Sequence, residues 1–124
     1  MKTGEEIKIR ALELLNYTDQ NGRTDSTMYA DITARSLALV NQIYAECWYA
    51  LEGERPFVPL PTLAAPVVLP PRVINNVLPF GVAMLMAQSL GDGDNQSLMA
   101  DLYNQKRLSL TTTQRRRDVM PHAV

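Results

Sequence analysis

Apolar residues recur at helical spacing from the start of the chain. Ile7, Ala11, Leu14 and Leu15 stand at i, i+4, i+7 and i+8, with Lys8, Arg10 and Glu13 on the other faces. Thr3 followed by Glu6 forms a capping box, so a helix is predicted to begin near Gly4 and to end near Asn16. Residues 18–22 read as a loop with an Asn-Gly turn signal. Asp25 or Ser26 then stands ready to cap a second, long helix reaching about Leu51. Its apolar positions are Met28, Ile32, Leu39, Val40, Ile43, Cys47, Trp48 and Leu51, with no Gly or Pro inside. Leu37, Tyr44 and Tyr49 widen that surface beyond one stripe. Either the whole of it is core, or part of it meets a neighbouring subunit.

Periodicity then stops. Residues 54–72 contain Pro56, Pro59, Pro61, Pro66, Pro70 and Pro71, which forbid a helix and central strand pairing. The segment is still apolar, through Phe57, Val58, Leu60, Leu63, Val67, Val68 and Leu69, whereas a disordered linker is polar. It is predicted to be an extended arm that packs on something. Two readings stay open: the arm covers its own helices, or these seven residues contact a neighbouring subunit or a tail component. Val67, Val68 and Leu69 could form one short strand at an edge, or add to another chain's sheet.

Helical period returns with Val73, Ile74, Val77, Phe80 and Leu85. A helix from about Arg72, kinked near Pro79, fits better than one that starts at Pro79. Val82, Ala83, Met86 and Leu90 make it apolar nearly all round, as expected of a buried helix. Gly91 suits the left-handed position past its end, and Asp94 or Asn95 is predicted to cap the next helix. In that helix Leu98, Met99, Leu102 and Tyr103 form the apolar stripe, while Asp101, Asn104, Gln105, Lys106 and Arg107 lie mostly off it. Thr111, Thr112 and Thr113 then lower helix propensity. A flexible C-terminal tail is predicted, with helix continuing at most into residues 114–117.

Residues 78–110 of the 124 therefore combine three features. A helix rich in small and apolar residues ends at Gly91-Asp92, and a helix with a Tyr103-Asn104 step follows. In this the chain resembles the small head-to-tail adaptor proteins (connectors, or head completion proteins) of tailed bacteriophages. The resemblance implies a non-enzymatic structural virion protein. Copies would form a ring, dodecameric in that family, beneath the portal protein. The ring would extend the channel through which DNA passes without sequence-specific binding, and would offer a platform to a downstream tail or stopper protein. It also implies a virion location at the head–tail interface after synthesis in the host cytoplasm. By position, the portal-docking segment would be the C-terminal one, with Lys106, Arg107, Arg115, Arg116 and Arg117 as its charged groups.

Composition adds bounds. The length fits one domain. Residues 1–110 are read as a single helical domain that includes the arm at 52–72, and residues 111–124 as a basic C-terminal tail. The fold class predicted is all-α: a bundle of about four helices with a long proline-rich extended loop between helices 2 and 3 and a C-terminal tail. No apolar run reads as long enough to span a bilayer, so no membrane partner is expected. The start, MKTGEEIKIR, carries charges on both sides of Ile7 and does not read as a signal peptide. The single Cys47 rules out an internal disulfide and agrees with a reducing compartment of synthesis.

Charge is uneven. Residues 1–54 carry five Lys/Arg against nine Asp/Glu, and residues 55–124 carry seven against four. Such asymmetry suits head-to-tail contact between copies. Catalytic equipment is sparse: His122 is the only histidine, so neither a His-based triad nor a Cys/His zinc site can be assembled. Residues 91–95, GDGDN, fail as a calcium loop because Tyr103 stands where the bidentate acid belongs. Cys47, on an apolar stripe, reads as a small buried hydrophobe. No cofactor is expected. An enzyme using only Asp92, Asp94 and Asp101 is the weakest reading, since helix-cap chemistry explains them. The alternative function is a small helical regulatory or nucleic-acid-associated protein that sets Arg115, Arg116 and Arg117 on phosphates.

Overall fold

The computed structural model describes residues 2–17 and 30–119, with the side chains of Ala30, Asp31 and 111–119 outside the description. The chain is all-α, as five helical segments: α1 (Gly4–Leu14), α2 (Ala30–Glu52), α3 (Pro71–Asn76), α4 (Leu78–Leu90) and α5 (Gly93–Val119). The predicted loop at 18–22, the caps Asp25 and Ser26, Met28, and the C-terminal Pro121 and His122 lie outside the described residues.

Each boundary has a local cause. Thr3 caps α1, its Oγ1 accepting the Glu6 N–H at 3.3 Å. At the other end Asn16 takes the left-handed conformation (φ 59°), and the Tyr17 N–H returns to the Leu12 carbonyl at 2.9 Å. Gly53 (φ 62°) closes α2. Helices α3 and α4 meet at Val77 (φ −119°, ψ −56°), which makes them one kinked helix. Pro79 explains the kink: its ring crowds the carbonyl four residues back and it has no N–H to offer there.

Two expectations are corrected. The cap of α5 is neither Asp94 nor Asn95 but Asp92, whose Oδ1 accepts the Asn95 N–H at 3.4 Å. Gly91 (φ 71°) finishes α4 so tightly that the next residue is already the cap. The C-terminal segment is also not a tail from Thr111 onward, since α5 continues to Val119. Threonine's modest propensity penalty does not stop a helix that is already nucleated, and Gln114 and the three arginines that follow favour it.

α4 is the central element, packed against α5, α1 and α2. Leu78, Val82, Ala83, Met86 and Ala87 are fully buried on it. From Pro71 to Leu90 the kinked helix is, contrary to the sequence expectation, long and apolar enough to cross a membrane; 56% of that apolar window is buried inside this fold. Gly81 marks the closest approach of three helices. A Cβ there would meet Ile43 Cγ2 at 2.7 Å and Tyr103 Cε1 at 2.8 Å. Beside it Tyr103, 1% exposed, donates its hydroxyl to Glu46 Oε1 at 3.2 Å, and Arg107 reaches the same oxygen at 3.1 Å.

The far end of the α4–α5 hairpin is tied to α1. The Tyr17 hydroxyl donates to Asp92 Oδ2 at 2.6 Å, and Asn95 Nδ2 donates to the same oxygen at 2.7 Å. These bonds, the Tyr17 one first, hold the Asp92 carboxyl below its ordinary value. A carboxylate with a lowered pKa stabilises the fold above the ordinary value and loses that contribution as pH falls through the lowered one. Tyr17→Phe should therefore reduce the urea midpoint at neutral pH, and the gap to wild type should close as the solution is acidified below pH ~4. A gap independent of pH would show that the hydroxyl acts on something other than the Asp92 charge.

Candidate docking surfaces

The proline-rich arm folds back on its own chain. Its carbonyls serve the start of α1: the Gly4 N–H donates to Ala65 O at 3.3 Å and the Glu5 N–H to Leu63 O at 2.8 Å. These are two of the amides that a helix N-terminus leaves without an internal partner. The Val67 N–H donates to Lys2 O at 2.9 Å beside a lone antiparallel bridge between Thr3 and Pro66. No strand forms at Val67, Val68 and Leu69 among the described residues. From α2, Asn41 holds both backbone groups of Leu60: Oδ1 accepts its N–H at 2.7 Å, and Nδ2 donates to its carbonyl at 3.0 Å. The Tyr44 hydroxyl accepts the Val68 N–H at 3.1 Å, and Trp48 Nε1 donates to Arg55 O at 2.9 Å.

This fixes where the seven arm residues go. Leu60, Val67 and Leu69 enter the chain's own core. Phe57 is half-buried, edge-on to Tyr44 with ring centroids 5.0 Å apart, and Leu63 is half-buried against Gly4. Val58 and Val68 stay exposed, at 74% and 56%. They line an open apolar groove of about 300 Å³ with Tyr44, Trp48, Pro59 and Pro66. Of the seven, Val58 and Val68 are thus exposed and Phe57 and Leu63 partly so, while Leu60, Val67 and Leu69 are used internally. Of the aromatic residues on α2, Tyr49 is exposed and Tyr44 buried.

The basic residues divide as well. Arg107 is committed to Glu46. Lys106 lays its Nζ over the Phe80 ring, 4.6 Å from the centroid. Arg115, Arg116 and Arg117 fall on the last turns of α5, with side chains outside the description. Lys106 also lines an open recess of about 180 Å³ between α3 and α5, together with Arg72, Asn76, Val77, Ser109 and Leu110. Arg72 carried no role in the sequence reading. Its one signal is its place just after Pro70-Pro71, which start α3 and hold it beside α5.

Groups suited to chemistry are otherwise built into the fold. Cys47 is buried, and burial pushes its thiol up to about 12, so it stays protonated at neutral pH. Tyr103 is raised above the ordinary tyrosine value, chiefly by the same burial. Asp92 is a cap, and among the described residues no three of His, Cys, Asp and Glu converge as a metal site. What the described surface offers is an apolar groove at the arm and a recess lined by Arg72 and Lys106. Searches of family models, of curated proteins and of solved structures find no match to this chain.

Proposed function

We propose that the chain is a structural virion protein, a head-to-tail adaptor of the tailed-phage connector kind. Copies form a ring beneath the portal, extend the DNA channel and link capsid to tail. The observation that supports this reading most is the α4–α5 hairpin. The residues that carry the resemblance are the ones on which the hairpin is built: Gly91 in the left-handed turn, Asp92 capping α5, and Tyr103 set against Gly81. A rigid hairpin with α5 running on past its last described core residue, Leu110, gives a stiff basic lever suited to docking.

Cryo-electron microscopy of tailed-phage particles that contain the protein tests the reading directly. The expected result is helical density in a ring between portal and tail. Deleting residues 111–124 should abolish portal docking and shorten α5 by the part beyond Leu110, while the core on α1, α2 and α4 survives. Normal docking by the truncated chain would move the docking surface elsewhere. Absence from particles, together with steeply salt-dependent DNA binding by the free protein, would favour the regulatory, nucleic-acid-associated reading.

A further inference from the structure

We infer that the recess between α3 and α5 is a carboxylate-binding notch, filled by an acidic side chain of a docked protein. The inference deepens the docking reading by naming the chemistry the partner presents. It does not depend on that partner being a portal.

Of the cations with described side chains, Lys8, Arg10, Arg55 and Arg107 each have a carboxylate within the chain: Glu5, Glu13, Glu52 and Glu46. Lys2, Arg35, Arg72 and Lys106 form no such ion pair among the described residues, and Arg72 and Lys106 line the same recess. Two like charges brought to one small concavity repel, and a bound anion would relieve this. Lys106 is also held in place, because the Phe80 face fixes its ammonium over α4. The amide of Asn76 adds a neutral hydrogen-bonding group to the lining.

The walls decide which anion source fits. Val77 and Leu110 form part of the lining. A recess lined by both cations and apolar side chains suits an aspartate or glutamate, whose methylene groups need an apolar contact. A nucleic-acid backbone asks instead for a basic track that follows successive phosphates. The notch is also single and about 180 Å³ in size, which suits one inserted side chain better than a strand.

The test is a two-dimensional NMR titration of the full chain with an acetylated, amidated tetraglutamate peptide. Parallel titrations use inorganic phosphate and a short random-sequence DNA duplex. Shifts should cluster at Arg72, Asn76, Lys106 and Ser109, saturating in the millimolar range expected of exposed ion pairs. The double variant Arg72→Ala, Lys106→Ala should weaken peptide binding roughly tenfold with the helical spectrum unchanged. Arg72→Lys should restore binding in part, since the charge returns without the fork. Peptide shifts that are absent at about 10 mM, or that spread over the whole basic surface, would overturn the proposal. So would duplex DNA that saturates the same four residues more tightly than the peptide, which would make the recess a phosphate site. If the notch binds the peptide but the protein is absent from phage particles, the adaptor reading fails and the notch stands.

Discussion

Gly81→Val is expected to destabilise the protein by about 3 kcal/mol or more, enough to unfold a marginal domain of this size. At Gly81, α2, α4 and α5 come so close that even a Cβ would sit 2.7 Å from Ile43 Cγ2 and 2.8 Å from Tyr103 Cε1. Neither neighbour can withdraw. Ile43 is 0% exposed, and its Cγ2 is a branch methyl with no long stem to swing. The Tyr103 ring is anchored at its far end by the hydroxyl bond to Glu46. The helices must move apart, and that strips contacts along the whole α4–α5 seam. Urea unfolding followed by circular dichroism measures the effect. Gly81→Ala should show the same fault at smaller size, because it adds the clashing Cβ and little else. In the background Tyr103→Leu the alanine should cost markedly less, since one of its two obstacles is gone. Equal cost in both backgrounds would mean that Tyr103 does not set the helix spacing.

The second large effect is predicted at Asn41. Asn41→Ala should cost about 2–3 kcal/mol, because it strands both the N–H and the carbonyl of Leu60, each in a partly buried place. The side chain acts as a clamp: its two bonds stop the arm from sliding along α2 and seat Leu60 in the core. Asn41→Asp separates the two halves of the clamp. The aspartate can still accept the Leu60 N–H but has nothing to donate to the carbonyl, so its cost should approach that of alanine. Limited proteolysis reports the consequence, with cleavage rising in residues 56–66 before the helices are attacked. If both variants leave the arm as resistant as wild type, the apolar contacts of Leu60, Val67 and Leu69 hold it without the clamp.

The helices were legible because their signals are local. Thr3 and Glu6 marked the start of α1, Asn16 its end, and Gly91 the end of α4. The kink near Pro79 followed from a missing amide. Two errors came from weighing single residues. Asp94 and Asn95 are good capping types, but the tightness of the Gly91 turn gave the place to Asp92. Three threonines lowered the helix expectation, which was carried no further than residue 117, although nothing after them breaks a helix before Pro121. The apolar stretch at 71–90 was passed over as a spanning-length segment because prolines at 71 and 79 interrupt its look, though not its hydropathy.

The arm was undecided for a different reason. Its attachments come mostly from α1 amides and from the side chains of Asn41 and Tyr44, which are remote in sequence, and no pattern within 54–72 encodes them. Arg72 was missed in the same way: an exposed arginine acquires meaning only when Lys106 is found across the recess. The burial of Cys47 was readable from its stripe, whereas the Glu46–Tyr103–Arg107 contact that covers it needed two helices to be docked.

The carbonyls that the arm lends to α1 also set an order of assembly. Gly4 and Glu5 receive acceptors from Ala65 and Leu63, so closing the first turn of the first helix encloses about half of the chain in a loop. The entropy of that closure grows slowly with length, but it must be met before the contact returns anything. The N-terminal turn of α1 is therefore expected to be among the last to become protected. Its amides report on a remote event: whenever the arm lifts, the Gly4 and Glu5 protons become free to exchange. A hydrogen-exchange experiment that reads those two amides would time the lifting of the arm from the opposite end of the sequence.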